Sequence, residues 1–218
     1  MDKRTGEAVR YLGYGNHAVD EETLALVESS FLELSEAADK RIVYRIFDLH
    51  TPDDGQVFID DYRIDSRHLF RNLRGCEKVV LLGATLGGQV DLQIRRAALT
   101  EMARAAVMQA CAAALLEEYL DGWQEEFGRE MKEKGWYLRP RFSPGYGDFS
   151  VLCQKQILRM LDAPRKIGLT MTDGYMLTPS KSVTAVIGIG GTDLACPGSG
   201  CEECEKKDCI YRRNTGEC

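Results

Sequence analysis

The chain alternates between stretches whose apolar residues recur at helical spacing and shorter runs dense in β-branched and aromatic residues. Residues 1–17 are polar, carry Gly13 and Gly15, and read as an irregular leading segment. Asp20–Ala38 reads as an amphipathic helix: Leu24, Leu26, Val27, Phe31, Leu32 and Leu34 form one stripe, leaving Glu21, Glu22 and Glu33 for other faces. Arg41–Leu49 predicts a strand, and Pro52, Asp53, Asp54 and Gly55 a loop. Ser66–Leu73 predicts a short helix ended by Gly75, and Lys78–Thr85 a buried strand. After the Gly87-Gly88 break, helical character runs from about Val90 to Lys134, rich in alanine between Ala103 and Ala114. A pattern that long points to two helices meeting near Leu99–Thr100. Tyr137–Phe142 is a strand candidate, followed by a turn at Pro144-Gly145. Ser150 can cap a helix to about Leu161, with Val151, Leu158 and Leu161 on one face. Ile167–Met176 and Val183–Ile189 read as strands joined through Pro179-Ser180. The order predicts an α+β fold: a mainly antiparallel twisted sheet with a long alanine-rich helical region packed on it.

Composition narrows the classes. A 218-residue chain can bury a sizeable core without disulfides. A net charge of −6 argues against general nucleic-acid binding. The largely apolar, uncharged run from Ala105 to Leu116 is too short to span a bilayer, and the first fifteen residues lack a signal-like apolar core, so a cytoplasmic protein is expected. Cys76, Cys111 and Cys153 sit singly in apolar or helical stretches and read as core filler. Cys196, Cys201, Cys204, Cys209 and Cys218 crowd into the end of the chain instead. The expected organisation is therefore a domain over 1–190 and a cysteine-rich tail over 191–218.

In that tail the pattern Cys196-x4-Cys201-x2-Cys204-x4-Cys209 gathers four thiols that could ligate zinc tetrahedrally or hold an iron–sulfur cluster. A plain reduced tail is the bland alternative, and Cys218, at the end, is not read as a ligand. Elsewhere, Asp48-Leu49-His50-Thr51-Pro52-Asp53 nearly matches the Asp-x-His-x-x-Gly of cobalamin-binding domains but lacks the glycine, so His50 reads as a loop histidine. Gly188–Gly191 lacks the helix a phosphate-binding loop requires. His17 and His68 have no catalytic partners visible in sequence.

Arg139–Tyr146 (RPRFSPGY) is the most informative stretch. An arginine fork beside a Pro-Gly turn with accessible backbone can hold a carboxylate in bidentate fashion, although such an arginine is more often merely solvated. Arg141-Phe142-Ser143-Pro144-Gly145-Tyr146 resembles the Arg-x-x-Pro-Gly-Tyr signature of the activation (reactivation) domain of cobalamin-dependent methionine synthase. The resemblance continues through Ile157, Leu158 and Leu161, Ile167–Thr172, and Met176–Thr184. Upstream, Thr85-Leu86-Gly87 and the alanine-rich helix ending Leu116–Leu120 are similar to free-standing members. The likeness covers roughly Lys78 to Gly190.

The resemblance implies an S-adenosylmethionine-binding accessory protein. It would serve the reductive methylation of cob(II)alamin held by a partner methionine synthase or other corrinoid methyltransferase, with an electron from a flavodoxin- or ferredoxin-type donor. Tyr146 would face the corrin as the catalytic position, Arg141 would take the methionyl carboxylate, and backbone groups of Ser143 and Gly145 would position the cofactor. The family's helix glutamate aligns with Ala114, so either Glu117 or Glu118 would substitute or an acidic contact would be missing, and its tyrosine after the final hairpin has no counterpart. No tightly bound cobalamin of the chain's own is expected. The alternatives are an iron–sulfur or zinc redox or interaction module of a corrinoid pathway that no longer methylates, or a non-catalytic docking domain.

Overall fold

The computed structural model of the chain describes residues 2–14, 17–52 and 55–192. In chain order these form α1 (Lys3–Tyr11), α2 (Glu21–Ala37), β1 (Arg41–His50), β2 (Gln56–Ile59), β3 (Tyr62–Asp65) and α3 (Arg67–Leu73). Then follow β4 (Lys78–Thr85), α4 (Gly88–Thr100), α5 (Met102–Glu133), β5 (Tyr137–Leu138) and a single 3-10 turn, Val151–Cys153. The series closes with α6 (Gln154–Leu161), α7 (Ala163–Ile167), β6 (Thr170–Met171), β7 (Leu177–Thr178) and β8 (Ser182–Gly190). The fold is α+β with an antiparallel sheet and one long helix, as the pattern predicts. The chain divides into two compact units, and the division falls within α5, between Asp121 and Gly122.

The first unit is helical, built from α1, α2, α4 and α5 up to Asp121. The starts of α1 and α2 are capped by side chains: Asp2 accepts from the Thr5 amide at 2.8 Å and Asp20 from the Thr23 amide at 2.7 Å. Val27, Phe31 and Leu34 of α2 are buried, as are Val90 and Ile94 of α4 and Met108, Cys111 and Leu115 of α5. Leu32, placed on the apolar stripe by sequence, is instead exposed. Glu101 adopts extended backbone between α4 and α5, which divides the long helical pattern close to Leu99–Thr100. Helix α1 corrects the irregular reading of residues 1–17. Only Thr5, Ala8 and Val9 of it are buried, a stripe of three small side chains too short to show as apolar periodicity. Burial pushes the Cys111 thiol up to about 12, against the opposing pull of Arg4, and its Sγ lies 3.7 Å from the Val27 carbonyl. It is core filler, as expected.

The second unit holds the sheet, ordered β3-β2-β1-β4-β8-β5 with every neighbouring pair antiparallel. Strand β4 is central, pairing with β1 from Lys78↔Asp48 to Thr85↔Arg41 and with β8 from Lys78↔Ile189 to Thr85↔Ser182. Both faces of β4 are covered, which is why it reads as a continuous apolar run rather than an alternation. One face packs Val43, Phe47, Val79, Leu81 and Val186 against Ile157, Leu158, Leu161 and Ile167 of α6 and α7. Tyr44 of β1 meets the aromatic end of α5, with ring centroids 5.1 Å from Trp123 and 5.2 Å from Phe127.

Three further expectations need correction here. The stretch 56–65, assigned no element from sequence, is the β2–β3 hairpin, whose four-residue strands are short and turn through Asp60-Asp61. Ile167–Met176 is not one strand: Pro164 starts α7 in its first turn, Gly168 ends it at φ +67°, and only Thr170–Met171 pairs, with Leu177–Thr178. Val151 lies 37% exposed, off the buried face that Ile157, Leu158 and Leu161 share.

Gly188 of β8 shows how closely the sheet is packed. A β-carbon there would sit 2.6 Å from Cys76 Sγ, 2.9 Å from Leu73 Cδ2 and 3.0 Å from Arg139 Cγ. Gly188→Ala is therefore expected to lower stability by about 1–3 kcal/mol, read as an earlier urea midpoint. Gly122→Ala, where nothing lies within 4 Å of the added atom, is the control and should stabilise by up to about 1 kcal/mol. Equal midpoints for the two variants would contradict the packing at β8.

Candidate functional site

Arg141 owes its placement to an interrupted strand. Pairing with β8 runs Tyr137↔Gly190 and Leu138↔Ile189, continues with the Arg139 amide donating to the Gly188 carbonyl at 2.8 Å, and resumes at Phe142↔Val186. Three steps along this segment thus oppose two along β8. The extra residue makes a bulge at Pro140-Arg141, on the edge strand of the sheet, where proline is tolerated. The expected Tyr137–Phe142 strand is accordingly reduced to two paired residues and one isolated bridge. Bulges re-aim side chains, and here the Arg141 guanidinium donates through Nη1 to Gln124 Oε1 of α5 at 2.8 Å. Gln124 Nε2 in turn donates to the Arg139 carbonyl at 3.4 Å, so one amide spans both arginines. Arg139 itself is buried, with Nη2 donating to the Arg74 carbonyl at 3.0 Å.

Beyond Phe142 the chain makes two linked turns. The Tyr146 amide donates to the Ser143 carbonyl at 3.2 Å across Pro144 and Gly145, and Gly145 has φ +99°. Proline second and a positive-φ glycine third is the pattern of a type II turn. The Gly145 amide then donates to the Phe149 carbonyl at 2.7 Å, and the Phe149 amide to the Tyr146 carbonyl at 3.0 Å. These bonds use the Ser143 carbonyl and the Gly145 amide to close the turn, and among the described hydrogen bonds none takes the Ser143 amide or the Gly145 carbonyl. A β-carbon on Gly145 would meet nothing within 4 Å, so the glycine serves the backbone angle and the surface above it is open. Tyr146 is 66% exposed at the crest, and its ring centroid is 6.5 Å from that of Phe142.

The turn is fixed from behind by Asp148 and Phe149. Phe149 is buried and stacks on Phe142 at 6.1 Å. Asp148 reaches the start of α3: Oδ1 accepts from Ser66 Oγ at 2.6 Å and the His68 amide at 3.1 Å, and Oδ2 from the Arg67 amide at 2.8 Å. Burial pushes this carboxyl up, but the bonds from Ser66, the His68 and Arg67 amides and the His68 ring together hold it well below the usual carboxylate range. His68 Nδ1 lies 3.0 Å from Asp148 Oδ1, and Gly147, at φ +55°, packs directly on that ring.

Arg141, Ser143, Gly145 and Tyr146 thus share one loop of the second unit. Glu117 and Glu118 belong to the first unit, where Glu118 pairs with Arg4 at 3.6 Å and the charge of Glu117 helps raise the Tyr11 phenol after burial. Sequence reading missed Gln124 and Asp148. Gln124 carried no signal beyond being polar near an aromatic pair, and Asp148 meets Ser66 across 82 positions of chain. His50 ends β1 with its ring 6.2 Å from that of Phe58. Cys153 is half-buried at the edge of the core. Among the described residues no group of three or more His, Cys, Asp or Glu side chains could hold a metal ion, and no helix is long and apolar enough to cross a membrane. Cys196, Cys201, Cys204 and Cys209 lie outside the described residues.

The comparisons with known proteins bear on the fold. No family model and no curated protein matches the chain. Among solved structures, it is similar to a crystal structure of the MetH reactivation domain bound to AdoHcy, with a TM-score of 0.57 and 13% sequence identity. The likeness covers 84% of this chain and 75% of that one, and at this identity it is a likeness of fold.

Proposed function

We propose that the chain binds S-adenosylmethionine at the Arg141–Tyr146 turn and serves the reductive methylation of cob(II)alamin held by a partner corrinoid methyltransferase. One observation carries this reading: a guanidinium oriented by Gln124 stands beside a type II turn whose outer surface is open. The fold it shares with a domain bound to AdoHcy supports it.

The donor set suits the ligand. A zwitterionic methionyl group needs a cationic fork for its carboxylate and backbone partners nearby. Arg141 would hold the carboxylate, the Ser143 amide and Gly145 carbonyl would orient the remainder, and Tyr146 would cover the partner's corrin. Bound there, S-adenosylmethionine supplies an electrophilic methyl group, while a separate flavodoxin- or ferredoxin-type protein supplies the electron. Calorimetry of the full chain with S-adenosylmethionine is the test. Saturable one-to-one binding is expected, and no heat at millimolar ligand would overturn the reading.

A second reading rests on the tail, where four thiols fall within a short stretch from Cys196 to Cys209. Thiolates crowded together repel one another unless a cation neutralises them. Protein prepared without oxygen is expected to carry one iron–sulfur cluster, or else zinc, through these four residues. Elemental analysis showing less than about a tenth of an equivalent of either metal, with all four thiols reactive, would refute this.

A further inference from the structure

We infer that Asp148 is a positioning residue: by capping α3 through the Ser66, Arg67 and His68 groups, it holds the Arg141–Tyr146 turn in the shape that receives the ligand. This rests on the S-adenosylmethionine reading above and extends it to a residue that does not itself touch the ligand. An aspartate capping a helix is ordinarily the residue just before it. Here Ser66 holds that place, accepting from the Leu69 amide at 3.0 Å, and the carboxylate arrives from 80 residues away to take the two amides before it, those of Arg67 and His68.

The consequence is a loop pinned at both ends. Upstream, Phe142 exchanges two backbone hydrogen bonds with Val186 of β8, at 2.9 and 2.8 Å. Downstream, Asp148 ties to α3 while its neighbour Phe149 is buried in the core. The Ser143–Tyr146 turn lies between these anchors, and Arg141 directly precedes the upstream one. The contact of Gly147 with His68 sets the spacing, since a β-carbon there would come within 2.7 Å of Nδ1 and 2.9 Å of Cγ. A loop ordered in advance loses less conformational freedom on binding, which is where such a residue gains its influence on affinity.

The test compares S-adenosylmethionine affinity in the full-length wild type, Asp148→Ala, Asp148→Asn and Gly147→Ala, at a temperature where circular dichroism shows each folded. Asp148→Ala is expected to bind at least tenfold more weakly, and Asp148→Asn, which keeps an acceptor of the same shape, to recover part of the loss. Gly147→Ala should also weaken binding while leaving the carboxylate in place, which keeps the inference testable if Asp148→Ala does not fold. Amide hydrogen exchange supplies a readout besides affinity: Gly145 and Phe149 should exchange faster in Asp148→Ala, with Lys78–Thr85 unchanged. A cap with only a structural role would lower the melting temperature and leave the affinity of folded protein as it was. Wild-type binding with equal affinity in all variants would overturn the positioning role alone. Failure of the wild type to bind would overturn the reading beneath it.

Discussion

Phe149→Ala is expected to destabilise the protein by about 3–5 kcal/mol, the range for removing a fully buried aromatic ring. Only 1% of Phe149 is exposed, its ring stacks on Phe142, and its backbone closes the second turn at both the amide and the carbonyl. The cavity cannot collapse readily, because the turn above it is fixed to α3 by Asp148 and the sheet below it is paired on both sides. Urea unfolding should show the loss as a lower midpoint with little change in slope. A difference below about 1 kcal/mol would mean that the ring is not the anchor of the loop. Phe149→Leu, which keeps most of the apolar volume, should lose less.

Arg141→Ala should weaken S-adenosylmethionine binding by about 2–4 kcal/mol, or roughly thirty- to several-hundred-fold, because it leaves a bound carboxylate without its cation. Stability should change little, since the residue is half-buried and stands in a bulge rather than in the sheet core. Arg141→Lys would keep the charge but lose the planar fork, and it is expected to fall between the two. Gln124→Ala should act in the same direction and more weakly, through loss of the 2.8 Å bond that orients the guanidinium. Calorimetry distinguishes these outcomes, and unchanged affinity in Arg141→Ala would remove Arg141 from the site.

Elements with strong local signals were legible in the sequence. The central strand Lys78–Thr85 announced itself by unbroken apolar character, and α2 by its apolar stripe. Ser66 and Ser150 marked the starts of α3 and of the 3-10 turn before α6, where their side chains accept from Leu69 and Leu152 amides. What escaped was decided by tertiary contact. Helix α1 buries three small side chains and is held through Lys3 to Asp121 and Arg4 to Glu118, pairs separated by most of the first unit's sequence. The β2–β3 hairpin was hidden because its strands alternate over only four residues each.

The site divides in the same way. Ser-Pro-Gly-Tyr specifies its turn locally, through one fixed φ and one positive φ, and is recognisable from those four residues alone. Gln124 and Asp148 meet their partners only through the fold, 17 and 82 positions away respectively, and no spacing rule links them. The exchange of a strand for a bulge at Pro140-Arg141 was readable in principle, since a proline inside a paired strand argues against continuous pairing.

The most direct measurement is a backbone amide chemical-shift titration of the full chain with S-adenosylhomocysteine, the stable product-side analogue of the proposed ligand. The largest shifts are predicted at Ser143, Gly145, Tyr146 and Gly147, with the Gln124 side-chain amide moving in parallel and the β6–β7 hairpin unaffected. Saturable shifts centred elsewhere, or none at millimolar ligand, would contradict the assignment of this turn as the binding site.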